Sequence, residues 1–103
     1  MKIAIAAGSN ELTSSIDDHF GRSRWYCIFD TKTKKHEFIE NAFKNHPEKA
    51  GYKAVDMLIK KRIKMVIAGR FGVKVMHAFR NKNIQMIVPQ RKIKIKEIIN
   101  LIK

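Results

Sequence analysis

Residues Ile3 to Ala7 form an unbroken apolar run closed by Gly8-Ser9-Asn10. A short run with no polar alternation is the pattern of a strand buried on both faces. Such a strand needs cover above and below, so helices must lie on both sides of its sheet. The run falls far short of the about 20 apolar residues that cross a bilayer. It also lacks the length of a signal peptide, so no membrane association is expected.

The rest of the chain supplies that cover. After a polar loop from Asn10 to Ser23, Trp25 to Asp30 reads as a second strand, with Trp25, Cys27 and Phe29 on one face and Tyr26 and Ile28 on the other. A polar turn leads into a third strand, His36 to Asn41, whose alternating charges mark a sheet edge. A helix is expected from Pro47 to Arg62, with Ala50, Ala54, Leu58 and Arg62 on one face and Val55 and Ile59 beside it. Lys64 to Ala68 reads as a buried strand, followed by the turn Gly69-Arg70-Phe71-Gly72 and a helix with Val75, Met76 and Phe79 inward. Ile84 to Val88 returns as a strand, and Ile95, Ile98, Ile99 and Ile102 form the apolar stripe of a last helix. With right-handed crossovers, the order β-β-β-α-β-α-β-α predicts an α/β fold: a three-layer α/β/α, ribonuclease-H-like domain with a five-stranded mixed sheet in the order 3-2-1-4-5, strand 2 antiparallel. At 103 residues, 45% of them apolar, the chain is expected to form a single domain over residues 1–103.

Charge is unevenly spread. Through residue 59 there are 9 basic and 8 acidic residues; from residue 60 onward there are 13 basic residues and one acid, Glu97. Apolar residues recur at regular intervals in the basic half, so it should fold and carry its charge on a structured surface that attracts anions. Lys60, Lys61, Arg62, Arg91, Lys92, Lys94 and Lys96 are the candidates for phosphate contacts in a nucleic-acid-binding module. The stacking signature of such a module is thin, since only Phe71 and Phe79 of the nine aromatics lie in this half. The Lys- and Ile-rich composition fits a thermophilic source. One cysteine, Cys27, excludes an internal disulfide and suits a reducing, cytoplasmic setting.

In open α/β sheets ligands gather at the carboxyl ends of the parallel strands. Three loops leave that edge, starting at Gly8, Gly69 and Pro89, and the Asn10–Ser23 loop extends the first. The Gly69–Gly72 turn joins a strand to a helix, where backbone amides and the helix terminus favour an anion that Arg70 would reinforce; alternatively its glycines serve only to adopt positive φ. In the long loop, His19-Phe20-Gly21-Arg22 gathers an imidazole, an apolar plug, a glycine and a guanidinium. One reading makes His19 a metal ligand or proton acceptor and pairs Arg22 with an anionic ligand. The other has Phe20 anchoring the loop, His19 capping backbone groups and Arg22 bonded to Asp17 or Asp18. Cys27 is a metal ligand only if its sulfur is exposed; between large apolar neighbours it reads as core.

Enzyme chemistry finds little support. Two-metal nuclease cleavage needs several carboxylates converging on the central strands, and neither the first strand nor the fourth carries one. No nucleophile elbow or other catalytic signature is present, and no histidine has zinc-ligand spacing with another His or Cys.

The segment Ile16-Asp17-Asp18-His19-Phe20-Gly21-Arg22-Ser23, followed by an aromatic strand ending at Asp30 and later by a buried strand with a Gly-x-x-Gly turn from Met65 to Gly72, resembles the dinitrogenase iron-molybdenum cofactor biosynthesis family. That family includes NifX-like proteins and the C-terminal domain of NifB, and the resemblance covers nearly the whole chain. It implies a ribonuclease-H-like domain that binds or carries an iron-sulfur or iron-molybdenum type cluster, or a precursor, between metallocluster donor and acceptor proteins, without turnover. It also implies that His19 to Arg22 and Gly69 to Gly72 border the binding site, with His19 the first candidate ligand. Family members commonly carry a Gly-Pro-Asn/Lys turn; here the residues are Gly72-Val73-Lys74.

Overall fold

A computed structural model describes residues 1–43, 45 and 50–102. The elements are β1 (Lys2–Ala7), β2 (Trp25–Asp30), β3 (His36–Glu40), α1 (Ala50–Lys60), β4 (Ile63–Ile67), α2 (Val73–Asn81), β5 (Gln85–Ile87) and α3 (Ile95–Ile102). They form an α/β fold around one five-stranded mixed sheet in the order β3-β2-β1-β4-β5. β2 runs antiparallel to both its neighbours, while β4 lies parallel to β1 and β5 parallel to β4. The apolar run that begins the chain is thus the central strand, and Ile3 to Ala7 are all buried.

Strand alternation divides the core in two. On one face Ala4, Ala6, Tyr26, Ile28 and Val66 pack with Ala54, Val55 and Leu58 of α1 and Val75 and Phe79 of α2. On the other, Ile3, Ile5, Cys27, Phe29 and Ile67 pack with Ile95, Ile98 and Ile99 of α3. Both faces are covered, as the unbroken apolar run requires.

The differences from the sequence reading lie at element ends. α1 stops at Lys60 because Arg62 takes a left-handed backbone, φ 62°, and its amide bonds back to the Ile59 carbonyl at 2.9 Å. Arg62 therefore leaves the helical face on which it was expected beside Ala54 and Leu58. Pro47 and Glu48, read as the first turn of this helix, lie outside the described residues, as does His46. β4 starts one residue early, at Ile63, and β5 is shorter than the Ile84–Val88 pattern.

Candidate functional site

The Asn10–Ser23 loop is fastened by its backbone to the carboxyl ends of the parallel strands. The Asp17 amide bonds to the Ala6 carbonyl of β1 at 2.8 Å, and the Gly69 amide beyond β4 bonds back to the Asp17 carbonyl at 3.0 Å. Ile16 reaches the Ile93 carbonyl at 3.0 Å, and the Ile95 amide returns to Ser14 at 2.9 Å. The Phe20 amide then donates to the Arg70 carbonyl at 3.2 Å, beside a bridge between His19 and Arg70. The loop thus follows the sheet edge and brings the two glycine-containing motifs side by side.

Phe20 is the plug. It is 1% exposed and lies with its ring centroid 5.0 Å from Tyr26, 5.2 Å from Phe71 and 5.2 Å from Phe79. Its backbone is held from below: the Tyr26 hydroxyl donates to the Phe20 carbonyl at 2.5 Å. The buried Asn41 amide donates to the carbonyls of Gly21 at 3.2 Å and Ser23 at 2.9 Å, and lies 3.2 Å from the Tyr26 hydroxyl. Buried Ser23 in turn donates to Ala7 and Trp25. With its hydroxyl buried in this network, Tyr26 titrates well above the usual phenol range, first because burial disfavours the phenolate and then because the Asp17 carboxylate repels it.

Close backbone approach explains two of the glycines. A Cβ on Gly21 would stand 2.9 Å from the Gly51 Cα, and one on Gly69 would stand 2.8 Å from the Asp18 Cα. No described glycine has positive φ, so that alternative for the Gly69–Gly72 turn is corrected: Gly69 is small so that the Asp17–Asp18 stretch of the loop can lie against it. Gly72 is the extended N-cap of α2 and supplies no side-chain cap to the helix's first amides.

These constraints leave a cavity of about 340 Å³, walled by His19 to Arg22 on the loop, Gly51 and Tyr52 on α1, and Gly72 to Val75 at the start of α2. A neighbouring depression, lined by Asp18, His19, Gly69 and Arg70, shares His19 with it. His19 is exposed, and the Arg70 guanidinium lies across its ring, with Nε 3.2 Å from Nδ1 and Nη2 2.8 Å from Nε2. A guanidinium only donates and a neutral imidazole offers one lone pair, so one of these two contacts is a hydrogen bond and the ring tautomer sets which. The expected capping role of His19 is replaced by this contact. The loop amides of His19 and Arg24 are instead accepted by the Asp17 carboxylate, each at 3.4 Å. Arg22 lies on the cavity rim, exposed.

The remaining candidates lie elsewhere. Gly8 is bonded through its amide to Ser15 and borders neither depression. Cys27 is fully buried on the α3 face, opposite Phe20, and burial pushes its thiol up to about 12. The seven cations considered for nucleic acid fall into two groups: Lys60, Lys61 and Arg62 precede β4, and Arg91, Lys92, Lys94 and Lys96 follow β5. Because these strands are parallel, the groups occupy opposite ends of the sheet and form no continuous track.

The sequence reading missed Asn41, Tyr26, Gly51 and Tyr52. Gly51 carried a signal, because glycine in a helix is disfavoured by roughly 1 kcal/mol and so asks for a packing reason.

The chain is a small α/β domain with a cation-rimmed cavity at the carboxyl edge of its sheet. Over residues 1–103 the chain matches the family described as dinitrogenase iron-molybdenum cofactor, and it belongs to that family. It is similar in structure to the apo form of the orange protein from Desulfovibrio gigas, with TM-score 0.88 and 23% identity over 96% of this chain and 83% of that one. A candidate NifB protein from Thermotoga superposes with TM-score 0.83 and 23% identity over 96% of this chain and 84% of that one. At that identity both neighbours speak for the fold alone. No protein with a curated description matches the sequence significantly. Among the described residues no helix is long and apolar enough to cross a membrane.

Proposed function

We propose that this protein is a carrier, not a catalyst, for an anionic iron-sulfur or molybdenum-containing cluster or its precursor. On this reading it passes cargo between metallocluster donor and acceptor proteins in the cytoplasm, on a ribonuclease-H-like scaffold. Family membership supports the cargo class. The observation that carries the reading is the meeting of the His19–Arg22 loop with the Gly69–Gly72 turn through the His19–Arg70 contact.

The donor set narrows how cargo is held. Among the described residues no three His, Cys, Asp or Glu side chains gather, and the one thiol is buried. A ring of thiolates is therefore not how this cavity grips a cluster. It fits one delivered whole, with its sulfides already in place. The uncapped amides at the start of α2 and the cations Arg22 and Lys74 offset its negative charge, and His19 supplies one imidazole nitrogen once Arg70 swings away. A nucleic-acid module is the poorer reading, because its cations are split between two ends of the sheet.

Anaerobic incubation with preformed sulfide-bearing anions, either tetrathiomolybdate or an iron-sulfur cluster held by small thiolates, tests the proposal. The expected result is metal uptake with a visible charge-transfer band that His19→Ala weakens. Absence of uptake by the unaltered protein from either source would sink it.

A further inference from the structure

At the opposite end of the sheet, where β4 and β5 begin, lies a separate cavity of about 520 Å³ lined by Ile59, Arg62, Ile63, Lys64, Lys82 and Ile84. Three cations surround three isoleucines, and no acid lines it. Among the described residues none of the three cationic groups has a carboxylate partner.

Helix ends account for only part of this charge. α1 and α2 both end here, and two carbonyls in the last turn of each are met by backbone amides: Lys61 to Leu58 at 3.0 Å, Arg62 to Ile59 at 2.9 Å, Lys82 to Phe79 at 3.1 Å and Asn83 to Arg80 at 3.1 Å. The two helix ends contribute about half a negative charge each, which three full positive charges outweigh. Arg62 also sits at φ 62°, a conformation in which glycine is the relaxed residue. An arginine there costs backbone strain and places a guanidinium at the cavity mouth.

We propose that this cavity is a second ligand site that takes an organic phosphate, with a di- or triphosphate on Arg62, Lys64 and Lys82 and the uncharged body against Ile59, Ile63 and Ile84. Charge alone would suit any anion; the half-buried Ile59, backed by the core residues Ile63 and Ile84, selects one with an apolar part. The assignment does not depend on cluster carriage, and its test needs no cargo.

Calorimetric titration of the metal-free protein with ATP, inorganic pyrophosphate and adenosine at near-physiological salt reads both halves of the site. ATP should bind most tightly, and Lys64→Gln or Lys82→Gln should each weaken it about tenfold, the scale of one lost charge-assisted contact. Lys92→Gln and Lys94→Gln, at the far edge, should leave ATP affinity unchanged. Arg62→Gly should weaken ATP binding while raising the melting temperature, a split that a purely structural Arg62 would not give. The proposal is overturned if ATP binds no more tightly than pyrophosphate, or if the far-edge variants lose as much affinity as Lys82→Gln.

Discussion

The two faces of the sheet are built from the same strands but differ in texture. The α3 face presents isoleucines to isoleucines, with Cys27 and Phe29 between them, and closes into an apolar layer. The α1/α2 face presents alanines from β1, a cluster of aromatic rings and two glycines at touching distance. Branched aliphatic side chains interdigitate and fill space, whereas small residues let backbones approach and leave cavities at the margin. The candidate site sits on the second face, where polar backbone groups, cations and unfilled volume meet among the described residues.

Truncating one large side chain on each face separates stability from binding. Phe20→Ala is expected to cost about 4 kcal/mol and Ile98→Ala about 3 kcal/mol in denaturant unfolding, by lost burial plus residual cavity. Only Phe20→Ala should also reduce metal uptake; equal loss of uptake in both variants would erase the functional contrast between the faces.

The second test concerns Cys27. Burial pushes its thiol up to about 12, so little thiolate is present at pH 8. Iodoacetamide at pH 8 should leave the folded protein unlabelled over hours and react promptly once denaturant is added. Since burial raises the folded value, the Cys27 contribution to stability is present below the thiol's ordinary titration range and declines as pH climbs towards 12. Rapid labelling of the folded state would show that the α3 face is not sealed.

The smallest effect is the most diagnostic. Nothing lies within 4 Å of a Cβ built on Gly72, and its φ of −65° suits any residue. Gly72→Ser should therefore cap α2 and raise stability by a few tenths of a kcal/mol, while its hydroxyl competes with cargo for the same amides. A melting temperature that rises as metal uptake falls would sharpen the assignment of that helix terminus to the site.

Most of the architecture was legible because it is periodic. The face assignments of β2, the charged edge strand β3 and the isoleucine stripe of α3 follow from spacings of two and 3.6 residues. The Arg62 error arose where the pattern continued but the backbone did not: the side chain matched a helical face while the residue had already turned left-handed. The site was legible only in pieces. His19 and Arg70 stand 51 residues apart, and the bonds from Asn41 to Gly21 and Ser23 span 20 and 18. Contacts that long are created by topology, and no local pattern announces them.

Those separations also tie distant elements to one another. The loop bearing His19 lies in the first quarter of the chain, yet its backbone partners include Arg70, Ile93 and Ile95. On the proposed reading, a loop tied to Ile93 and Ile95 as well as to Arg70 couples one wall of the cavity to the docking of α3, which does not itself line it.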